Sequence, residues 1–252
     1  MELMDHPRGG YRFLTGIAPY SCGVASLPDH EIVHVTLRRP MPYVFGFDRI
    51  ERFLSEVSRP RHALCGVELR LPGPLSFDGF AAFNARYQQL LDDLGLLIDG
   101  CNPVARTNVA PAVDPPAEPA LYGFSYTAPC TDADGLRTFV VAGAGDLMDQ
   151  ANLSAAAVVR PDEVSDDAMR EKAGTVMRVM HSRMEGLGVG WGHVTTVDVY
   201  TERAVEPLLR DLILEPIGEA AAHGVHWHYS RPPIADLAFE MDVRGVAREL
   251  WI

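Results

Sequence analysis

The sequence predicts an α/β fold of the α+β kind, built as two tandem domains that cover residues 1–129 and 130–252. The main observation is that each half carries the same order of predicted elements: strand, helix, strand, helix, strand and strand. The segments 66–69 and 196–199 also have matching patterns, and a repeat of roughly 120 residues is an ordinary domain size. A polar segment at 129–135, with proline, aspartate and glycine, marks the boundary.

In the first half, the two-residue period of strands alternates with the period of three to four residues that is typical of helices. The predicted elements are a strand at 30–37, a helix at 47–57, a strand at 62–71, a helix at 76–95, and strands at 103–110 and 121–128. Ser76 is a favourable N-cap for the second helix, because its hydroxyl can accept a hydrogen bond from the first turn. Gly95 is a favourable end for the same helix.

The second half repeats this order with a longer first helix. Its predicted strands are at 137–142, 194–200, 225–229 and 234–243, and its helices begin after Ser165 and at about Pro207. Ser165 caps a helix whose first turn is acidic and whose stripe of methionines indicates a buried face. The second helix is expected to bend or end near Pro216, because proline lacks the N–H that an α-helix needs.

Composition and charge narrow the class of protein. The chain has 252 residues and a formal charge of −12, and 47% of its residues are hydrophobic. A chain this acidic, with scattered arginines and the single lysine Lys172, lacks the cationic clusters on which nucleic-acid binding depends. No window approaches the roughly 18 apolar residues that a membrane span requires. We therefore expect a globular protein that binds neither nucleic acid nor membrane.

The cysteines indicate a reducing compartment. Cys22, Cys65, Cys101 and Cys130 show no CxxC or other metal spacing. The N-terminal residues 1–12 lack the continuous apolar core of a signal peptide. Both observations favour a cytoplasmic location.

Short motifs along the chain carry a resemblance to a known family. They are Ala-Pro-Tyr-Ser at 18–21, Asn-x-x-Tyr at 84–87, Val-Ala-Arg-Thr at 104–107, Val-Val-Ala-Gly at 140–143 and Phe-Glu-Met-Asp at 239–242. Together they resemble the Rid superfamily of imine and enamine deaminases, the YjgF-like proteins. Each half resembles one diverged copy, since the arginine motif occurs in the first half and the closing acidic motif in the second.

The resemblance implies two chorismate-mutase-like domains, each a mixed sheet with two helices packed on one face. It also implies a homo-oligomer, with a trimer favoured, and sites in the clefts between domains. In such sites an arginine holds the substrate carboxylate, and a carboxylate or backbone carbonyl orients a water that adds to the imine carbon. This chemistry requires no metal and no cofactor.

Arg106 is the leading candidate for the carboxylate anchor, because a guanidinium is planar, always charged and able to form two parallel hydrogen bonds. The alternative is an intramolecular ion pair. Tyr20 and Ser21 are the other candidate binding residues of the first motif, although a packed tyrosine or a serine beside a turn would look the same. Asn108 shares the strand face of Arg106 by the two-residue period, and the alternative is that it only ends the strand.

Glu240 is the candidate acid in the second half. The first half has Gly123 near the place where the family's closing strand offers glutamate. The complementary losses suggest that Arg106 and Glu240 face one shared cleft and form one composite catalytic site. The alternative is that Glu240 is a cross-strand partner of Arg231 or Arg244.

His226 and His228 share a strand face, which is the arrangement for a pair of metal ligands. No third ligand follows at a diagnostic spacing, so we predict no metal site and favour packing, substrate binding or titration near pH 6.5. The Gly-x-Gly at 143–145 opens no helix directly, and we interpret it as a turn rather than a nucleotide-binding loop.

The resulting functional hypothesis is a deaminase that hydrolyses the C=N bond of a small carboxylate-bearing substrate, either a 2-imino acid or an aminomuconate-like compound. Two alternatives stay open at this point. One is a non-catalytic protein that binds a small carboxylate, and the other is a chorismatase-like enzyme.

Overall fold

The computed structural model describes residues 1–130 and 137–252, in which the strands form two mixed sheets. The strands are β1 (Leu3–His6), β2 (Tyr11–Leu14), β3 (Gly23–Ser26), β4 (His30–Pro42), β5 (Leu64–Arg70), β6 (Ala105–Pro111), β7 (Ala120–Pro129), β8 (Phe139–Gly145), β9 (Thr196–Tyr200), β10 (His226–His228), β11 (Ser230–Arg231), β12 (Glu240–Gly245) and β13 (Arg248–Trp251). The helices are α1 (Tyr43–Glu56), α2 (Phe77–Asp93), α3 (Asp166–Leu187), α4 (Glu206–Leu208) and α5 (Glu215–Ile217). The predicted α/β class is confirmed.

The two sheets exchange strands between the two halves of the chain. Sheet I has the order β11-β6-β5-β7-β4-β13, and sheet II has the order β1-β2-β3-β8-β12-β9-β10. Strands β1 to β3 therefore belong to the sheet of the second half, where β3 pairs antiparallel with β8. Conversely, β13 runs parallel to β4 and β11 pairs with β6 in the sheet of the first half.

This exchange bears on the predicted division into domains 1–129 and 130–252, which stays a prediction. Most of the segment proposed as the boundary, residues 131–135, falls outside the described residues. The halves are interleaved by backbone hydrogen bonds rather than joined only at one point. The sequence signal for this was weak, because β1, β2 and β3 have only four residues each.

The sheets face each other, and each has helices on its outer side. One apolar cluster joins α1 and α2 to sheet I, and another joins the methionine stripe of α3 to sheet II. A third, smaller cluster lies between the sheets and includes Tyr11, Ile32, Cys65 and Ala142. Because side chains alternate along a strand, Val141 packs under α3 whereas Ala142 faces sheet I. No helix in the described ranges is long and apolar enough to cross a bilayer.

The predicted helix caps are confirmed at both long helices. The Ser76 hydroxyl accepts a hydrogen bond from the Gly79 N–H at 3.1 Å, and Ser165 accepts one from Ala168 at 3.3 Å. Gly188 ends α3 with a left-handed φ of 73°, a conformation that glycine adopts without strain.

Two predicted elements differ from the structure. The helix expected from Pro207 is divided into α4, a π-helical stretch Leu209–Leu214 and α5, so that Pro207 and Pro216 each stand in the first turn of a short helix. The strand predicted at 234–243 begins only at Glu240. The preceding residues run as a loop along α2, where the Ala235 N–H donates to the Leu75 carbonyl at 2.9 Å.

A buried histidine makes the stability of this fold sensitive to acid. His6 is 2% exposed, and its Nε2 has no hydrogen-bond partner among the described residues. Burial, together with the nearby His62 and Arg8, lowers the pKa of His6 to about 4. The unfolded chain takes up this proton near its ordinary pKa of 6.5. The contribution of His6 to the free energy of unfolding is therefore fully present above pH 6.5 and is lost as the pH falls towards 4.

We expect His6→Phe to flatten the fall of the unfolding free energy between pH 7 and pH 5, measured by urea denaturation. The exposed His181 provides the control, because His181→Asn should leave the pH dependence as it is in the wild type. A His6→Phe variant that loses stability with acid as steeply as the wild type would contradict this account.

Candidate active site

A small cavity, which we call the inner cavity, brings together residues from both halves of the chain. It has a volume of about 30 Å³, enough for one or two water-sized groups. Its polar lining consists of Tyr20, Arg106, Asn108, Gln150 and Glu240. The rest of the lining is mainly apolar side chains and the glycine backbone of β8. Four of the five predicted site residues therefore lie around one cavity.

Arg106 enters this cavity from β6 and is held by α2. Its Nη2 donates a hydrogen bond to Asn84 Oδ1 at 2.6 Å, and its guanidinium lies 4.7 Å from the ring centre of Tyr87 and 4.8 Å from that of Tyr20. Asn84 and Tyr87 stand three residues apart, so they share one face of α2. These contacts fix the plane of the guanidinium before any ligand arrives.

The remaining nitrogens of Arg106 lack protein acceptors. The side chain is 3% exposed, and Nε and Nη1 have no hydrogen-bond partner among the described residues. No ion pair joins Arg106 to an acid of the described chain, so the intramolecular pair considered from the sequence is not present there. Burial lowers the pKa of Arg106, but a guanidinium remains charged at any ordinary pH. A buried cation with free donors indicates a site for an anion.

Asn108 adds a second unsatisfied group on the same face of β6. It is 3% exposed, and neither its Oδ1 nor its Nδ2 has a partner among the described residues. Leaving a buried amide unpaired costs about 1–3 kcal/mol. A polar ligand in the inner cavity would relieve this cost together with that of Arg106.

Tyr20 and Ser21 are adjacent in sequence but separate in role. The Tyr20 ring lies over Arg106, and burial raises the pKa of its hydroxyl. Ser21 is buried and does not line the inner cavity, since its hydroxyl donates to the Pro103 carbonyl at 3.1 Å. The predicted contact of Ser21 with substrate thus gains no support from this cavity.

Glu240 reaches the inner cavity from the start of β12 in sheet II. Its Oε1 lies against the α-carbon of Gly143, where a larger residue would collide with it. Burial, reinforced by the nearby Asp242, raises the pKa of Glu240 well above its usual range, although Arg106 and Arg183 act in the opposite direction. The site therefore favours the protonated form of the carboxyl group more than water does, and this form can donate a proton.

The cross-strand alternative for Glu240 does not apply to the described residues. Arg244 pairs with Asp198 at 2.5 Å and with Glu249 at 3.0 Å. Arg231 lies 3.8 Å from Glu202. Neither arginine forms an ion pair with Glu240.

A buried ion pair holds the chain that leads into Glu240. Lys172 Nζ on α3 lies 2.8 Å from Asp146 Oδ2. Asp146 Oδ1 in turn accepts hydrogen bonds from the backbone N–H groups of Ala238 and Phe239, at 2.9 and 3.1 Å. This ion pair was not predicted from the sequence. One signal for it was available, because Lys172 is the only lysine of the chain and lies in a helix lined by methionines.

His226 and His228 lie outside the inner cavity. His226 Nδ1 and His228 Nε2 contact the same oxygen of Asp198, at 3.1 and 3.0 Å. The hydrogen bond to Asp198 raises the pKa of His226. Among the residues that the structure describes, no group of three or more His, Cys, Asp or Glu side chains is arranged to hold a metal ion.

A second, larger cavity adjoins the first, and we call it the outer cavity. Its volume is about 640 Å³, and Tyr20 and Gln150 belong to the linings of both cavities. One wall is a polar face of α3 that carries Arg178 and Arg183. This polar face was not predicted from the sequence, where the methionine stripe indicated only the buried face of the helix.

Comparison with known proteins places the chain in a family. A family model described as 2-aminomuconate deaminase CnbZ matches residues 3–250. The chain belongs to this family. A curated relative, 2-amino-5-chloromuconate deaminase from Comamonas testosteroni, is 38% identical over 242 residues, which cover 96% of this chain and 95% of the relative.

Membership of the CnbZ family corrects the resemblance to the Rid superfamily, which was wrong as an assignment. The motifs behind it are only four residues long, and matches of that length also arise outside a family. The expected trimer and the tandem chorismate-mutase-like domains rested on that resemblance and have no independent support.

Two solved structures are distantly similar to this member of the CnbZ family. A chorismatase is 13% identical with a TM-score of 0.48, covering 98% of this chain and 80% of its own. Cyanuric acid hydrolase from A. caulinodans is 10% identical with a TM-score of 0.35, covering 88% and 68%. At these values neither likeness bears on the function.

The contact between Gly143 and Glu240 gives a steric test of the site in this CnbZ family member. We expect Gly143→Ala to push the Glu240 side chain out of place and to lower the rate of turnover at least 10-fold, since small misplacements of reacting groups are costly. Gly73→Ala is the matched control, because a Cβ there would meet no atom within 4 Å. Equal activities of the two variants would show that the position of Glu240 is unimportant.

Proposed function

We propose that this chain is an aminomuconate deaminase, which hydrolyses the C–N bond of a 2-aminomuconate-type enamine to a ketone and ammonia. One observation carries the proposal: a buried arginine with unpaired donors and a buried carboxyl group, whose pKa is raised by burial, line the same small cavity. The arginine binds a carboxylate and the carboxyl group transfers protons, which are the two functions that such a reaction requires. Membership of the CnbZ family supports the same substrate class.

In this proposal, Arg106 and Asn108 bind the carboxylate next to the amine-bearing carbon. The free Nε and Nη1 of Arg106 and the Nδ2 of Asn108 are all donors. Charge-assisted hydrogen bonds to a carboxylate contribute about 1.5–3 kcal/mol each. The stacked Tyr20 and Tyr87 rings keep the guanidinium oriented, so binding also positions the reacting carbon.

Glu240 carries the proton transfers in two steps. Protonated Glu240 first donates its proton to the β-carbon of the enamine, which converts the enamine to an iminium ion and leaves Glu240 as a carboxylate. That carboxylate then accepts a proton from a water as the water oxygen bonds to the iminium carbon. The hydroxyl group of the resulting carbinolamine then loses its proton as the C–N bond breaks and the ketone forms. The amine takes up this proton and leaves as ammonia, so that one water is consumed and one ammonia is released.

The raised pKa of Glu240 suits both steps. A carboxyl group that is neutral at pH 7 can act as an acid, and its conjugate base is stronger than an ordinary carboxylate. Arg106 and Arg183 stabilise the transient carboxylate form, because both favour the charged state of Glu240.

The test is the release of ammonia from enzymatically generated 2-aminomuconate by the purified wild-type chain. The proposal expects one ammonia for each substrate consumed, at a rate well above that of the uncatalysed decay, with parallel loss of the conjugated absorbance. Tight binding of substrate without ammonia above the uncatalysed rate would instead indicate a non-catalytic binding protein and would refute the proposal.

A further inference from the structure

The outer cavity has no part in the proton transfers proposed above, yet it is continuous in its lining with the inner cavity. Tyr20 and Gln150 line both spaces. The inner cavity holds about 30 Å³, too little for more than one end of a substrate, whereas the outer cavity holds about 640 Å³. We therefore expect the rest of a substrate bound at Arg106 to extend past Tyr20 and Gln150 into the outer cavity.

The wall that such a substrate would meet is cationic. The outer cavity is lined by residues of α3 at the three- and four-residue spacings that place side chains on one side of a helix: Thr175, Arg178, Val179, Ser182 and Arg183. Arg178 is exposed, and its one hydrogen bond to a described residue runs from Nη2 to Thr175 Oγ1 at 2.9 Å. The acid in the lining, Asp149, already accepts a hydrogen bond from the Ala151 N–H at 2.9 Å.

Arg183 lines the outer cavity and is bonded to the backbone that lines the inner one. It is 2% exposed, and its Nη1 donates to the carbonyls of Ala142 at 2.8 Å and Gly143 at 3.3 Å. Gly143 also touches Oε1 of Glu240. Gly143 of β8 thus lies between Arg183, on the cationic wall of α3, and Glu240, the proposed proton donor.

We propose that the outer cavity binds the distal carboxylate of a linear dicarboxylate substrate, with Arg178 as the residue that selects for this second charge. This inference rests on the proposed function, which places the first carboxylate at Arg106. Arg183 positions the strand between the two subsites. The chain would accordingly distinguish dicarboxylates from monocarboxylates of the same length by a cation that lies outside the reacting centre.

The test uses two stable six-carbon dienes that the chain cannot deaminate, muconate and sorbate. They differ in that muconate has a second carboxylate where sorbate has a methyl group. Calorimetric titration would measure the affinity of each for the wild type, Arg178→Gln, Arg106→Gln and Arg210→Gln. The last variant is the control, because Arg210 is a surface arginine, 88% exposed in its side chain, that lines neither cavity.

We expect the wild type to prefer muconate over sorbate by about 10-fold to 100-fold, the range of one charge-assisted hydrogen bond. Arg178→Gln should abolish this preference by weakening muconate alone, Arg106→Gln should weaken both ligands, and Arg210→Gln should change neither. A wild type without the preference, or an Arg178→Gln variant that keeps it, would overturn the inference. A chain that deaminates 2-aminomuconate but shows either of these results keeps the proposed function and loses only the second subsite.

Discussion

Replacing Arg106 with methionine is expected to lower kcat/KM for 2-aminomuconate by about 10²-fold or more, without lowering the free energy of unfolding. The loss of activity follows from the loss of the charge-assisted hydrogen bonds that hold and orient the substrate carboxylate. Arg106→Lys should recover only part of the activity, since an ammonium keeps the charge but not the planar set of donors. Steady-state kinetics with ammonia detection measures both effects.

The expected effect of Arg106→Met on the free energy of unfolding distinguishes a functional arginine from a structural one. Arg106 is buried without an ion pair and has two nitrogens without partners in the described chain. Burying such a cation is costly, so an apolar side chain of similar length should be tolerated or favoured. Residues kept at the expense of stability are typical of binding and catalytic sites.

Arg244 is the matched control, because it is equally buried but ion-paired to Asp198 and Glu249. Arg244→Met should lower the free energy of unfolding by about 3–5 kcal/mol, the usual cost of breaking a buried pair. If Arg106→Met lost as much stability as Arg244→Met, Arg106 would be a structural residue and the carboxylate site would have no support.

Replacing Glu240 with glutamine is expected to lower kcat by about 10²–10⁴-fold, the range of general acid–base catalysis. Glutamine keeps the size of the side chain but cannot donate or accept the reacting proton. The affinity for muconate should change little, since Glu240 is not assigned to hold either carboxylate. A variant that retained turnover would contradict the proton-transfer role and with it the composite site.

The raised pKa of Glu240 gives this variant a second signature. Between the ordinary pKa of glutamate and the raised value in the fold, the folded chain binds more protons than the unfolded chain, so stability falls as the pH rises. The activity of the wild type should fall over the upper part of the same range, as the proton donor ionises. Glu240→Gln should reduce the alkaline loss of stability, and its residual activity should lack the alkaline limb of the wild-type profile.

Much of the local structure could be predicted from the sequence because it is encoded locally. The capping serines Ser76 and Ser165 and the apolar stripes of α2 and α3 were sufficient to place both long helices. The strand carrying Arg106 was also predicted, at 103–110, and the structure has it at Ala105–Pro111. What the sequence could not show was the exchange of strands between the halves, because pairings such as that of β3 with β8 join residues more than 100 positions apart.

The candidate site could also be predicted only in part, because several of its contacts join residues that are far apart in the sequence. The idea that Arg106 and Glu240 face one cleft came from the absence of a matching partner in either half, and the two residues do line one cavity. Their catalytic roles stay predictions. The supporting residues were missed, because Asn84 and Arg183 act through contacts that only the packed helices create. The family assignment failed because motifs of four residues carry too little information to distinguish one family from another.

The most direct test of the composite site is a crystal structure of the Glu240→Gln variant with 2-aminomuconate bound. We expect one substrate carboxylate within hydrogen-bond distance of Arg106 Nε or Nη1 and of Asn108 Nδ2. The amine-bearing carbon should lie beside the amide of residue 240. A substrate bound elsewhere, with Arg106 still bonded only to Asn84, would contradict the central claim.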